Sequence, residues 1–310
     1  MRKSPFKLRS LFLLSFCLLW PALPSPASAY ARIVSLKPNI TEILFALGVG
    51  PQVVGVTQFC KRPPEVKALP KVADYLQAFP EAILLLKPDL VLGTKENGSQ
   101  KEIQFLLDRG LSVLTLGSSA DSSSAEIQAL KSRGIEVDGL GFATLDQTTR
   151  SIEAMGELLG RGEAAKEMTR RMRSELDTLK QKAASLPKIR VLYVVGYQPL
   201  VVAGGNNFFD EAGDYIGAEN VAHQSRLKYP YYTTELLIRA APEVVFDFAM
   251  GSEAEANARS QNGEFWKQFS SIPAVKNGRV YALDIEKMRA VPSLPETLKE
   301  LFLLLHPKGN

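Results

Sequence analysis

The chain has 310 residues, 45% of them hydrophobic and 23% charged, with 37 Lys and Arg against 33 Asp and Glu. That length suffices for two lobes with separate cores. Two histidines and two cysteines argue against a histidine-rich metal site or a disulfide framework.

The first 29 residues read as a cleavable secretory signal peptide. Arg2, Lys3, Lys7 and Arg9 precede the apolar run LFLLSFCLLW, and PALPSPASA follows, with Ala27 and Ala29 at the small-residue cleavage positions. The run is too short to stay as a membrane span. Cys17 follows Phe16 rather than a small residue, which argues against lipid attachment, so cleavage after Ala29 is expected. Four basic residues leave with this segment. The remainder balances at 33 of each sign, so no basic surface is left to bind nucleic acid or an anionic membrane. Cys60 is then alone and no intrachain disulfide can form.

The first lobe, 30–145, alternates short apolar strands with helices. RIVSL reads as a strand, and TEILFALG as a helix capped by Asn39 or Thr41 and ended at Gly48. QVVGVT is a strand, and KRPPEVKALPKV a proline-rich connection. Pro80 suits the first helical position, EAILLLK follows it, and Pro88 stops the helix before the strand DLVLG. SQKEIQFLLDRG is the next helix. This alternation predicts a parallel sheet with helices on its faces. EIQFLLDRGLSVLTLG at 102–117 recurs as EIQALKSRGIEVDGLG at 126–141, across the linker-like SSADSSS. Copy one has the more apolar strand and is expected in the core, with copy two as an added edge element.

Residues 146–186 read as one stiff helical connector, with a bend at Gly160–Gly162. The second lobe, 187–310, resumes the alternation with strands IRVLYVV, EVVFDF and RVYALD and helices NNFFDEAGDYIG, TTELLIRAA and PETLKELFLLLH. One phrase is written in both lobes. FPEAILLLKPDLVL (79–92) and TTELLIRAAPEVVF (233–246) each place a proline seven residues after a glutamate: Glu81 with Pro88, and Glu235 with Pro242. The fold class is therefore α/β, two Rossmann-like lobes with central parallel sheets joined by a single long helix.

RIVSLKPNITEILFALG, VVGVTQFCKRPPEV, LPKVADYLQAFPEAILLLKPDLVL and TTELLIRAAPEVVF together resemble the helical-hinge class of periplasmic substrate-binding proteins. These deliver iron–siderophore complexes, haem or vitamin B12 to ABC importers, and this chain looks most like the cobalamin-binding members. The resemblance implies a periplasmic monomer without a resident cofactor. Its ligand would be a corrinoid or ferric chelate, and its partner a membrane-embedded ABC permease dimer. It further implies ligand contacts at Phe59, Tyr75, Gly196, Tyr197, Tyr229 and Arg289, with Gly204 on a neighbouring loop. Tyr75 and Tyr229 each stand six residues before a repeated glutamate. Ser293 replaces a second arginine common in the family, which weighs against a strongly anionic ligand. Glu81 and Glu235 are implied as docking anchors, one per lobe. An acidic residue in a first helical turn is also stabilised by the macrodipole, and the two roles are compatible.

Cys60 fits a small buried hydrophobe better than a soft metal ligand. The chain has no nucleophile elbow, H-E-x-x-H, P-loop or dinucleotide fingerprint, which weighs against an enzyme.

Overall fold

The computed structural model describes residues 30–74, 77–94, 100–117, 125–249 and 264–307. The expected signal segment, Tyr75 and the SSADSSS stretch lie outside them. In the first lobe, β1 (Ile33–Ser35), β2 (Val53–Thr57), β3 (Lys71–Ala73), β4 (Leu90–Thr94) and β5 (Val113–Leu116) form a parallel sheet in the order β3-β2-β1-β4-β5. Strands β1 and β4 are buried along their whole length, which is why they read as unbroken apolar runs. β3 was hidden inside the proline-rich connection. Helices α1 (Pro38–Ala46), α2 (Pro80–Leu85), α3 (Gln100–Asp108) and α4 (Ala125–Ser132) complete the lobe.

Helix α1 starts earlier than expected. Pro38 takes the first helical position, where its missing N–H costs nothing, and Lys37 precedes it. Asn39 and Thr41 are therefore inside the helix rather than capping it. Gly48 does end it, at φ 74°.

The second sheet has β6 (Ile189–Gly196) at its centre. β9 (Val244–Asp247) and then β10 (Val280–Ala282) lie parallel on one side. On the other, β8 (Ala218–Asn220) runs parallel and the short β7 (Val201–Val202) antiparallel. Helices α7 (Phe208–Ile216), α8 (Thr234–Ala240), α9 (Pro273–Lys276) and α10 (Leu294–Leu305) surround it.

The segment expected as one stiff connector with a bend at Gly160–Gly162 turns fully back there, as a hairpin. Helix α5 (Leu145–Leu158) turns back at Leu159–Arg161 into the long α6 (Gly162–Ala184). Thr169 Oγ1 donates to Glu153 Oε1 at 2.6 Å, and Arg173 pairs with Asp146, so the two helices run antiparallel. The reversal needs Gly156, because a Cβ there would lie 2.3 Å from Ala165 Cβ. The buried face of α6 repeats at Ala165, Thr169, Met172, Leu176, Leu179 and Ala183. One apolar cluster runs from Ile33 and Leu90 through Met155 and Leu176 to Tyr193, Phe246 and Leu298. Such a shared core opposes wide hinge opening.

Copy one of the duplicated unit supplies α3 and β5, which is the edge strand of the sheet. Copy two supplies α4 but no strand, which corrects the expected edge element. Its residues 135–140 pack irregularly: Val137 and Leu140 are buried, Glu136 pairs with Arg150, and Arg150 donates to Asp138 O at 2.7 Å. Asp138 stands where copy one has the apolar Leu114, and Arg150 of α5 holds this segment through the Glu136 carboxylate and the Asp138 carbonyl instead of a neighbouring strand.

The repeated phrase has a structural counterpart in each lobe. Both helices end in a left-handed residue just before the proline, Lys87 at φ 46° and Ala241 at φ 40°. The acidic residue after the proline then ties the new strand to the first strand of its lobe. Asp89 accepts from the N–H groups of Ala31 and Arg32 at 2.7 and 2.9 Å. Glu243 accepts from Arg190 N at 3.0 Å. An arginine returns to the helix end: Arg32 donates to Leu86 O at 2.7 Å, and Arg190 to Ala240 O. Cations at these carbonyls also complement the helix dipole.

Candidate ligand cleft and docking faces

In open α/β sheets ligands gather outside the carboxyl ends of the strands, where the strand order reverses. The reversal falls between β1 and β4 in the first lobe. There Lys37 Nζ donates to Thr94 Oγ1 at 3.2 Å, linking the two strand ends. Next to them Ser35, Thr41, Cys60 and Thr57 form a buried chain of hydroxyls and one thiol, with Cys60 Sγ 3.1 Å from Thr41 Oγ1 and 3.3 Å from Thr57 Oγ1. Cys60 is thus a buried, hydrogen-bonded packing residue. Phe59, half-buried, follows the end of β2, and its N–H donates to Thr57 Oγ1 at 3.1 Å.

The matching point in the second lobe is the end of β6 beside β9. Gly196 and Tyr197 stand there. The Tyr197 hydroxyl donates to Asp247 Oδ2 at 2.5 Å and accepts from Trp266 Nε1 at 2.8 Å. Burial, followed by the Asp247 carboxylate, pushes this phenol far above its ordinary range. Its ring lies edge-on to Phe265, centroids 4.8 Å apart. Both hydrogen-bonding capacities of the Tyr197 hydroxyl are therefore engaged within the lobe. Sequence reading missed Asp247 and Trp266. A lone acid inside the apolar run EVVFDF was the available signal, since a buried carboxylate needs partners.

Tyr229 sits on a rim loop strapped to β7. Tyr232 N donates to Leu200 O, Val202 N to Pro230 O and Gly204 N to Lys228 O, at 2.9, 3.1 and 2.9 Å. Asn207 Nδ2 adds bonds to Gly204 O and Lys228 O. Asn220 Nδ2 reaches Ala203 O, Gly204 O and Asp210, whose other carboxylate oxygen meets His223 Nδ1 at 2.8 Å. Gly204 serves this strap. A Cβ on it would lie 2.3 Å from Leu227 O, and one on Gly205 2.2 Å from His223 O. The strap holds Tyr229 and Tyr231 outward, 51% and 69% exposed. Tyr231, which sequence reading did not single out, bridges Val201 beside the end of β6.

Arg289 lies where the lobes meet rather than in open space. It pairs with Glu286 at 2.5 Å and, across the lobes, with Glu42 of α1 at 3.8 Å. Asn39 Nδ2 donates to Ala290 O at 3.2 Å, and Arg62 faces Asp284 at 3.6 Å. Both partners of this seam follow strand carboxyl ends, β1 and β10, so the two sheets present those ends to each other. The seam leaves Glu42 Oε1 and Glu286 Oε2 buried without a hydrogen-bond partner. Burial raises the Glu42 carboxyl above its ordinary value of 4.5; Arg62 and Arg289 pull it down, and Glu286 pushes it up. A carboxyl raised by folding contributes its stability fully below the unfolded value and loses it as pH climbs through the folded one. Glu42→Gln is therefore expected to gain in Tm on the wild type as pH rises above the ordinary carboxyl value of 4.5. A Tm difference that does not change with that rise contradicts it.

Glu81 and Glu235 are exposed in the first turns of α2 and α8. Neither has an ion-pair partner among the described residues. Each helix runs back toward the start of the strand that follows it, so its first turn lies at the carboxyl end of its sheet. Both carboxylates thus occupy the cleft end of their lobes, at equivalent places. A separate groove of about 530 Å³ on the hinge is lined by Glu153, Lys166, Arg170, Arg173 and Asp177. Its Lys166 and Arg173 are paired with acids, which suits a flat, partly apolar ligand poorly. Among the described residues no three His, Cys, Asp or Glu side chains gather closely enough to hold a metal ion.

The model of the periplasmic binding protein family matches residues 33–286. The chain belongs to that family. Members of the periplasmic binding protein family bind solutes rather than transform them. A vitamin B12-binding protein of Vibrio parahaemolyticus is 27% identical over 254 residues, covering 82% of this chain and 81% of the relative. An uncharacterized ABC transporter substrate-binding lipoprotein of Bacillus subtilis is 31% identical over 283 residues, covering 89% and 80%. The solved structure of a periplasmic haem-binding protein from Pseudomonas aeruginosa superposes with a TM-score of 0.72 at 25% identity, covering 91% and 94%. The two facing α/β lobes and the long α6 are the architecture of this family.

Proposed function

We propose that this periplasmic binding protein carries a corrinoid, cobalamin or a close relative, to an ABC importer in the bacterial envelope. The observation that carries the reading is the strapped rim loop, which holds Tyr229 and Tyr231 outward at the carboxyl end of the second sheet. Aromatic faces suit a broad, flat, partly apolar ligand and lose little rotamer entropy on binding. Phe59 and the Tyr197 ring extend that surface, and Tyr75 is proposed to meet it from the first lobe. The engagement of Arg289 by two glutamates favours a ligand with little negative charge. The resemblance to the B12-binding relative points the same way. Glu81 and Glu235 are the proposed anchors on a two-fold permease, one per lobe.

Haem is the second reading, favoured by the likeness to the Pseudomonas structure. Calorimetric titration of the chain from Tyr30 onward with cyanocobalamin, haemin and a ferric siderophore separates the two. One saturable, tight site for cyanocobalamin is expected. No heat with cyanocobalamin and tight binding of an iron chelate would overturn the proposal.

A further inference from the structure

We propose that each docking face pairs its carboxylate with an exposed aliphatic side chain, Glu81 with Leu85 and Glu235 with Ile238, and that both aliphatic residues become buried on the permease dimer. This rests on the docking reading above and adds an apolar half to it. Leu85 follows Glu81 by four residues on α2, and Ile238 follows Glu235 by three on α8, so each pair shares a helix face. Leu85 is 82% exposed and Ile238 47%. Each helix sends a different residue into its lobe: Ile83 and Leu237 are fully buried, at matching places in the repeated phrase. Leu85 is therefore almost wholly spare with respect to folding, and Ile238 keeps about half of its surface free.

Charge selects the occupant. Whatever covers these faces must bring a cation to each carboxylate and apolar surface beside it, once per lobe. A two-fold permease with a basic, partly apolar patch on each half meets that requirement. A second copy of this chain would set carboxylate against carboxylate, and anionic lipid headgroups would be repelled by both. On such a rim the charges govern encounter and orientation, whereas buried aliphatic contacts govern how long the complex lasts.

The test measures association and dissociation of the chain on the permease–ATPase complex embedded in nanodiscs. The wild type is compared with Leu85→Ser/Ile238→Ser and with Glu81→Gln/Glu235→Gln. The serine pair is expected to dissociate about tenfold faster or more, with association and its salt dependence little changed. The glutamine pair is expected to associate more slowly, with a flatter salt dependence. Wild-type dissociation in the serine pair, alongside failed binding in the glutamine pair, would sink the apolar half and leave docking standing. Wild-type behaviour in both pairs would sink both. Binding to empty nanodiscs, or self-association in sedimentation, that the serine pair abolishes would reassign the residues to lipid or to a second copy and overturn the proposal.

Discussion

Reversing both proposed docking charges, Glu81→Lys with Glu235→Lys, is expected to abolish import while ligand affinity stays at its wild-type value and Tm falls by no more than a few degrees. Both side chains are exposed, and neither pairs with a described residue, so the fold loses little beyond a favourable dipole contact of about 0.3–1 kcal/mol at each helix start. At a complementary interface the same change turns attraction into like-charge repulsion at both lobes. Like charges set against each other cost several kcal/mol, and roughly a hundredfold loss of permease affinity is expected. A single reversal should act less severely, because the other lobe still anchors. Ligand uptake into proteoliposomes, beside calorimetry on the free protein, separates the two steps. Full transport by the double variant would remove docking from the account.

The second large effect is expected from Gly204→Ala. The added Cβ would lie 2.3 Å from the carbonyl oxygen of Leu227, and a backbone atom cannot swing aside as a side-chain tip can. The strap between β7 and the rim loop must then shift, at a cost of about 1–3 kcal/mol typical of overpacking. The carbonyl of Gly204 also receives Asn207 and Asn220, so the shift spreads to the start of α7. Tm should fall by several degrees, and ligand affinity should drop with it as Tyr229 and Tyr231 move. Gly196→Ala is the control for Tm, since a Cβ there meets Val201 at an ordinary 3.7 Å. An equal fall in Tm for the two substitutions would contradict the strap.

Much of the fold was legible because period and punctuation agreed. The buried strands β1, β4, β6 and β9 read as short apolar runs, and Pro80, Pro88 and Pro242 bounded their helices as proline must. The elements that escaped were short or edge-placed. β3, β7 and β8 have two or three residues each and draw their order from neighbours rather than from their own composition. The connector hairpin was hidden for another reason. Gly160 and Gly162 marked an interruption, but only the small Gly156 and Ala165 opposite each other let the helices close on themselves.

The site was legible through its repeated spelling and less so through its partnerships. Equal spacing in the two lobes pointed to Glu81 and Glu235. It did not reveal that Asp89 and Glu243, eight residues later, tie each new strand to an arginine-bearing first strand. Tyr229 was visible through its six-residue offset from Glu235, yet the glycines and asparagines that aim it are scattered from Gly204 to Asn220. Arg289 was implied by resemblance as a ligand contact, and its two glutamates, one of them in the other lobe, are a matter of tertiary structure alone.

The rim aromatics Tyr229 and Tyr231 are proposed to grip a flat chelate at the cleft. Calorimetric titration of Tyr229→Ala/Tyr231→Ala with cyanocobalamin, beside the wild type, tests this most directly. Both side chains are exposed, so Tm should hold. Each lost aromatic contact is worth about 1 kcal/mol or more, and a fall in affinity of roughly thirtyfold or greater is predicted. Unchanged affinity in a folded double variant would contradict the account.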